Sequence, residues 1–393
     1  MIALPKIAAA LLTALACAGL AAQDFHLSPT GDDAADGAAE HPWKTLARAN
    51  RALHPGDRAI LWPGTYSGSI APYHSGLPAK PIVYTAQTPG TAVVTGGKVR
   101  HAGKPYNAAV RLSGRAFIEI SGLVFRSNNA PLVLSGSHDV VFRDLDIRGP
   151  RPAVRTYEVK RCTFRNIDVV SDAPPPTAER APLWQNLHNE RCRFEHLRLA
   201  GGGTLFLLAG ESARCVVRAV DFAPETGRAL VIEGKEHLVE NCRVRNAVFP
   251  SELHGVGMLF RGNFFIGGNG LPLEATKDVR MYGNAFLQIG GDWTLDETGP
   301  GDVCDQPARL APSSYPGTAR LTADAAGRIL EVDHPGLFFD GGGIPGETGD
   351  TVEIGPEKLS AVIVEIDRGQ KLLHLDRTVR AEAGSEVRPV FGR

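Results

Sequence analysis

The chain has 393 residues, including 44 Gly and 28 Pro, with 43% hydrophobic, 22% charged and 7% aromatic residues and a formal net charge of −1. That balance excludes a generally basic nucleic-acid binder and a generally acidic solvating chain. Abundant Gly with few Met, Trp and Tyr suits short strands and tight turns rather than a helical bundle.

The first segment reads as a targeting sequence. Lys6 precedes the apolar run Ile7 to Leu20, and Ala21-Ala22 follow, the pattern of a signal peptide over residues 1–22. Export to the periplasm or the exterior is expected. The alternative is a lipoprotein modified at Cys17, although Ala14-Leu15-Ala16 departs from the usual lipobox. The run is short for a membrane span, and no later run is long enough.

Thr45 to Leu53 places Leu46, Ala49, Ala52 and Leu53 at helical spacing and predicts a short amphipathic helix that caps the stack that follows. Ile60-Leu61-Trp62, Ile82-Val83-Tyr84 and Val93-Val94 predict early strands. From Ile118 an apolar pattern at offsets 0, 2, 5 and 7 recurs, beginning at Ile118, Val140, Cys162, Cys192, Cys215, His237, Met258 and Val279. Alternation with period two marks a strand, and the extra step between offsets 2 and 5 marks a corner. A further short strand precedes most copies, as at Val110/Leu112 and Leu230/Ile232. Three strands and three corners per roughly 22 residues describe one coil of a parallel β-helix, whose half-buried faces are covered by the next coil.

The register explains the cysteines. Cys162, Cys192 and Cys215 share one inward column with His237, which predicts a ladder of small side chains rather than zinc or a disulfide framework. Asn263 and Asn284 share another inward column, where stacked amides satisfy corner backbone. One copy is 30 residues long because it inserts the Pro-rich stretch Ser171 to Thr177, a candidate wall for a working face. Residues 294–317 read as a linker, and 318–393 as a small all-β domain with a hairpin turn at Asp367 to Gln370. The β-helix with its cap accordingly occupies 23–293. Gly341-Gly342-Gly343-Ile344-Pro345-Gly346 matches a dinucleotide fingerprint by letters but lacks the strand-to-helix setting.

Ser28-Pro29-Thr30-Gly31-Asp32-Asp33, His41-Pro42-Trp43-Lys44-Thr45-Leu46 and Pro63-Gly64-Thr65-Tyr66 resemble the opening of secreted right-handed parallel β-helix proteins of the pectate-lyase-like superfamily. Phe338-Phe339-Asp340-Gly341 and Gly349-Asp350-Thr351-Val352 resemble an accessory β domain found behind such helices. The resemblance implies the β-helix fold and a carbohydrate-active protein; a monomer is expected, acting on an acidic glycan, with a polysaccharide lyase favoured. A hydrolase, an epimerase and a non-catalytic glycan-binding or surface protein stay open, because the superfamily holds all of these.

Residues 101–290 carry 24 Lys/Arg against 19 Asp/Glu, whereas 291–393 carry 10 against 18. Arginine forks suit carboxylates, so the outward column at offset 3 supplies candidates for substrate binding: Arg143, Arg165, Arg218 and Glu240. Its continuation over coils six to eight supplies candidate catalytic residues. Arg261 or Arg280 would neutralise a uronate carboxylate, and Tyr282, Lys277 or His254 would remove the C5 proton. Calcium through Glu240 or Glu274 is a further candidate. Glu274-Ala275-Thr276-Lys277 with Tyr282-Gly283-Asn284 loosely resembles the Lys-bearing coil of chondroitinase B and alginate lyases. That family's Glu-x-Glu ligands and its Arg-His-Gly are missing here, so the resemblance carries no catalytic residue over.

Overall fold

The computed structural model describes residues 22–101, 104–150, 152–171, 182–276, 279–296, 298–306, 309–311 and 317–390. The signal peptide with Cys17, nearly all of the Pro-rich insertion, and Lys277 lie outside the described residues. The architecture is a right-handed parallel β-helix followed by a curled antiparallel sheet. About ten coils stack at ~4.8 Å per rung into a rod roughly 50 Å long.

Each coil turns through three faces. The first holds the offset 0–3 strands, such as Ile118–Ser121, Leu238–Glu240 and Val279–Tyr282. The second holds the strands after the corner, such as Val124–Arg126 and Phe264–Ile266. These two faces form one 19-stranded sheet, because Val141–Gly149, Thr163–Ser171 and Arg193–Gly201 run unbroken through the corner. The third face is a separate eight-stranded parallel sheet running from Val110–Ser113 to Leu273–Ala275.

The corner predicted between offsets 2 and 5 is one left-handed residue. It is Gly122, Asp144, Asn166, His196, Ala219, Asn241, Gly262 and Gly283 in the eight copies, with φ from +53° to +69°. Gly, Asn and Asp occupy that region at least cost, which accounts for six of the eight. The extra residue restores inward pointing at offset 5, so Leu145, Ile167 and Leu197 are buried along with Phe142, Phe164 and Phe194. Those three phenylalanines stack at 5.4 and 5.2 Å with nearly parallel rings.

The cysteine ladder is as expected. Cys162, Cys192 and Cys215 are buried free thiols, each with its Sγ 3.5 Å from the carbonyl two residues earlier. Burial pushes the Cys162 and Cys192 thiols well up, which keeps them protonated. His237 ends the column. Its Nδ1 accepts from the Cys215 amide at 3.1 Å and its Nε2 donates to the Glu233 carbonyl at 3.2 Å. Burial lowers its pKa to about 4.

The asparagine column closes the far end. Asn263 Oδ1 accepts from the Cys242 amide, Asn284 Oδ1 from the Asn263 amide, and Asp302 Oδ1 from the Asn284 amide and Nδ2. Burial raises the Asp302 carboxyl above the usual range.

Leu46–Ala52 is the capping helix, with Thr45 accepting from the Arg48 amide and with Leu46, Ala49 and Leu53 in the core. Two features differ from expectation. Residues 294–317 are more than a linker: Val303–Cys304 pairs parallel to Ala285–Phe286 as a last rung, and Leu295 is buried. An antiparallel hairpin, Gly97–His101 with Lys104–Ala108, also projects beside the early coils. The tail sheet runs from Ala319 to Val390 around its own core of Leu330, Phe338, Val352 and Ile363.

Candidate functional site

The tail folds back onto the first face, and this changes the reading of the offset-3 column. Phe339 and Ile344 pack on Val216, Leu238, Leu259 and Tyr282. Around that apolar seam the charges interlock. Glu347 accepts from both terminal nitrogens of Arg218, at 3.1 and 2.9 Å, and lies 2.9 Å from Arg193 Nε. Asp350 takes Arg261 through both terminal nitrogens, at 2.9 and 2.8 Å, and accepts the Phe339 amide. Glu240 lies between Arg218 and Arg261, at 2.5 and 2.7 Å. Burial alone would raise its carboxyl, but the two guanidiniums hold it below the usual range. Tyr282 receives a hydrogen bond from Arg261 at 3.1 Å and donates to the Leu337 carbonyl. Burial holds its phenol above the ordinary value, so it is a poor source of phenolate.

Four of the sequence-selected residues, Arg218, Glu240, Arg261 and Tyr282, therefore meet, but beneath the tail rather than in an open groove. The Arg261 side chain is 9% exposed and its terminal nitrogens are committed to Asp350. A cleft of about 570 Å³ remains beside them, walled by Gly346 to Thr351. Glu240, named as a calcium ligand, is neutralised by arginines. Among the described residues no group of three or more His, Cys, Asp or Glu is arranged to hold a metal ion. Arg143 and Arg165 lie on the uncovered part of the same face, Arg143 paired with Glu119 and Asp144, and Arg165 near Glu195. Arg280 borders Gly336 of the tail. The Gly341–Gly346 loop docks through its backbone, Gly342 accepting from Arg191 and Pro345 from Arg193.

His254 stands elsewhere, on the third face. In Ser251–Val256 the inward residue Leu253 is buried, so Glu252 and His254 point outward. His254 Nε2 lies 3.6 Å from Glu252, which is also ion-paired with Arg228. In register, Glu252 is opposite Glu274 and His254 is opposite Glu233. The His254 side chain is 45% exposed. Sequence reading singled out His254 but not Arg228, Glu252 or Glu233. The available signal was the placement of Glu233 and His254 at matching positions of consecutive coils.

No family model matches the chain. It is 30% identical over 134 residues to the uncharacterized protein YwoF of Bacillus subtilis (strain 168), a stretch covering 32% of this chain and 28% of that protein. Among solved structures, pectate lyase Pel9A superposes with a TM-score of 0.53 at 14% identity, over 76% of this chain and 82% of that one. The GH136 lacto-N-biosidase from Eubacterium ramulus gives 0.51 at 13% identity, over 75% and 67%. At such identities these likenesses establish the β-helix fold. No helix among the described residues is long and apolar enough to cross a membrane.

Proposed function

We propose that the chain is an exported, carbohydrate-active β-helix protein that cleaves an acidic polysaccharide by β-elimination on its third face. The observation that carries this reading is His254, an exposed imidazole with one ring nitrogen against Glu252 and Arg228 ion-paired to the same carboxylate. Of the proton-transfer candidates with described side chains, Tyr282 is buried and His254 is accessible. Arg228, in exchange for Glu252, takes the uronate carboxylate and so acidifies the C5 proton. His254 removes that proton, the C4–C5 double bond forms, the C4–O bond breaks, and the imidazolium returns the proton to the leaving oxygen.

Pectate, alginate and glycosaminoglycans offered to the enzyme should include one that yields an ultraviolet-absorbing unsaturated product, and His254→Ala should abolish it. Absence of unsaturated product from all three overturns the lyase reading. A second reading, hydrolysis, is favoured by Glu252 and Glu274 in register on neighbouring rungs, a carboxylate pair of the kind glycosidases use. It gives new reducing ends without absorbance. Binding without any product marks a glycan-binding protein.

A further inference from the structure

The third face continues from His254 toward the N-terminal coils, and its outward residues change character along the way. Glu233, Ala209, Leu187 and Tyr157 follow one another in the His254 column. In the neighbouring column Gln185 and Arg155 share the rungs of Leu187 and Tyr157, and Val133 and Arg111 continue it on the next two rungs. Arginines of this helix are commonly tied to carboxylates, as Arg161 is to Asp139, Arg214 to Glu236 and Arg245 to Asp221. Arg155 is exposed, and among the described residues neither it nor Arg111 is ion-paired with a carboxylate. Tyr157 stands beside Arg155 on the same strand and face, 44% exposed. His188 packs against its ring in a T-shaped pair, with centroids 5.4 Å apart and planes at 78°. His188 is itself fixed by the Glu211 amide at 3.3 Å.

We propose that Tyr157, Arg155 and Arg111 form a distal subsite for anionic sugar residues, about four rungs from His254. The inference rests on the third face being the glycan-binding face. The aromatic ring offers a platform for the apolar C–H face of a pyranose, and its orientation is set before the ligand arrives. Arg155 provides a fork for a carboxylate on the same or the adjoining sugar. Arg111 lies two rungs on, ~10 Å at the usual rung spacing, so it meets the next carboxylate presented on that side of an extended chain. Four rungs span ~19 Å, a distance that a trisaccharide seated at His254 does not bridge and an octasaccharide does. Uronate polymers are therefore the class expected, with long chains preferred over short ones.

The test is calorimetric binding of oligogalacturonate and oligomannuronate trimers and octamers, with a sulfated neutral oligosaccharide of matched length as a further arm. The full chain is compared with Arg155→Ala, Tyr157→Ala and, separately, His254→Ala. The octamer should bind more tightly than the trimer, and Arg155→Ala or Tyr157→Ala should each reduce that advantage about tenfold, within the range for a charge-assisted or aromatic contact. Both side chains are exposed, so the fold should survive, and unchanged circular dichroism verifies this. Equal loss for trimer and octamer, or no loss for either, overturns the subsite. Preference for the sulfated ligand overturns the uronate assignment. Because the readout is binding, a cleavage-competent His254→Ala variant refutes the proposed base without touching this result.

Discussion

Asp350→Ala tests the buried charge network that seats the tail. Asp350 is the tail's bidentate partner for Arg261, and both side chains are less than 10% exposed. Removing one member of a buried pair leaves the other uncompensated and costs about 3–5 kcal/mol. Glu240 still faces Arg261 at 2.7 Å, which places the cost near the lower end. The Phe339 amide loses its side-chain acceptor in the same step. For a cooperative unit the size of the tail sheet, 1 kcal/mol moves the midpoint by about 4–8 °C, so its melting should fall by more than about 10 °C. Differential scanning calorimetry with limited proteolysis should show residues 319–390 released before the coils unfold. Arg261→Met combined with Asp350→Leu should cost less than Asp350→Ala alone, because both charges leave together. The network also has an acid limit. Glu240 is depressed in the folded state, so its contribution is present above the unfolded carboxylate value near 4.3 and is lost as pH falls through the folded value. A melting shift under about 2 °C for Asp350→Ala would refute the view that these charges seat the tail.

Cys192→Asp should unfold the middle coils, since it places a carboxylate between Cys162 and Cys215 in a sealed column; retention of wild-type circular dichroism and melting would contradict the register. His237 is neutral when folded with a pKa of about 4, so acidification below its unfolded value near 6.5 protonates the unfolded chain first and erodes stability. His237→Gln should flatten that loss between pH 6.5 and 4 in denaturant titrations. Asp302→Ala strips the acceptor from the Asn284 amide and Nδ2 and should cost about 1–3 kcal/mol, read as a lower urea midpoint.

The coils were legible because their signal is local. Offsets 0, 2, 5 and 7 within one copy state which side chains point inward, and repetition states which residues stack, so Phe142, Phe164 and Phe194 could be aligned from letters alone. The left-handed step was legible as an extra residue, even where His196 or Ala219 occupies it. The fate of the outward columns was not legible. Whether Arg261 faces solvent depends on Asp350, 89 residues further on, and on how a separate sheet folds back. A hint existed in the opposite charge of the two segments, positive over 101–290 and negative over 291–393, which suits docking as well as it suits an acidic ligand. The last rung at Val303–Cys304 was hidden for a different reason. It is two residues long within a Gly- and Pro-rich stretch, too short for any period to show.

Register between successive coils has a consequence for how such a molecule changes size. Each repeat begins and ends at equivalent corners, so insertion or removal of a whole coil between Tyr157 and His254 slides one relative to the other along the axis without re-aiming either. The distance between them is therefore set by an integer. If the third face binds a glycan as proposed, reach along that polymer varies in whole increments of one rung, in the manner of a caliper with fixed detents, while point substitutions alter only what each detent grips.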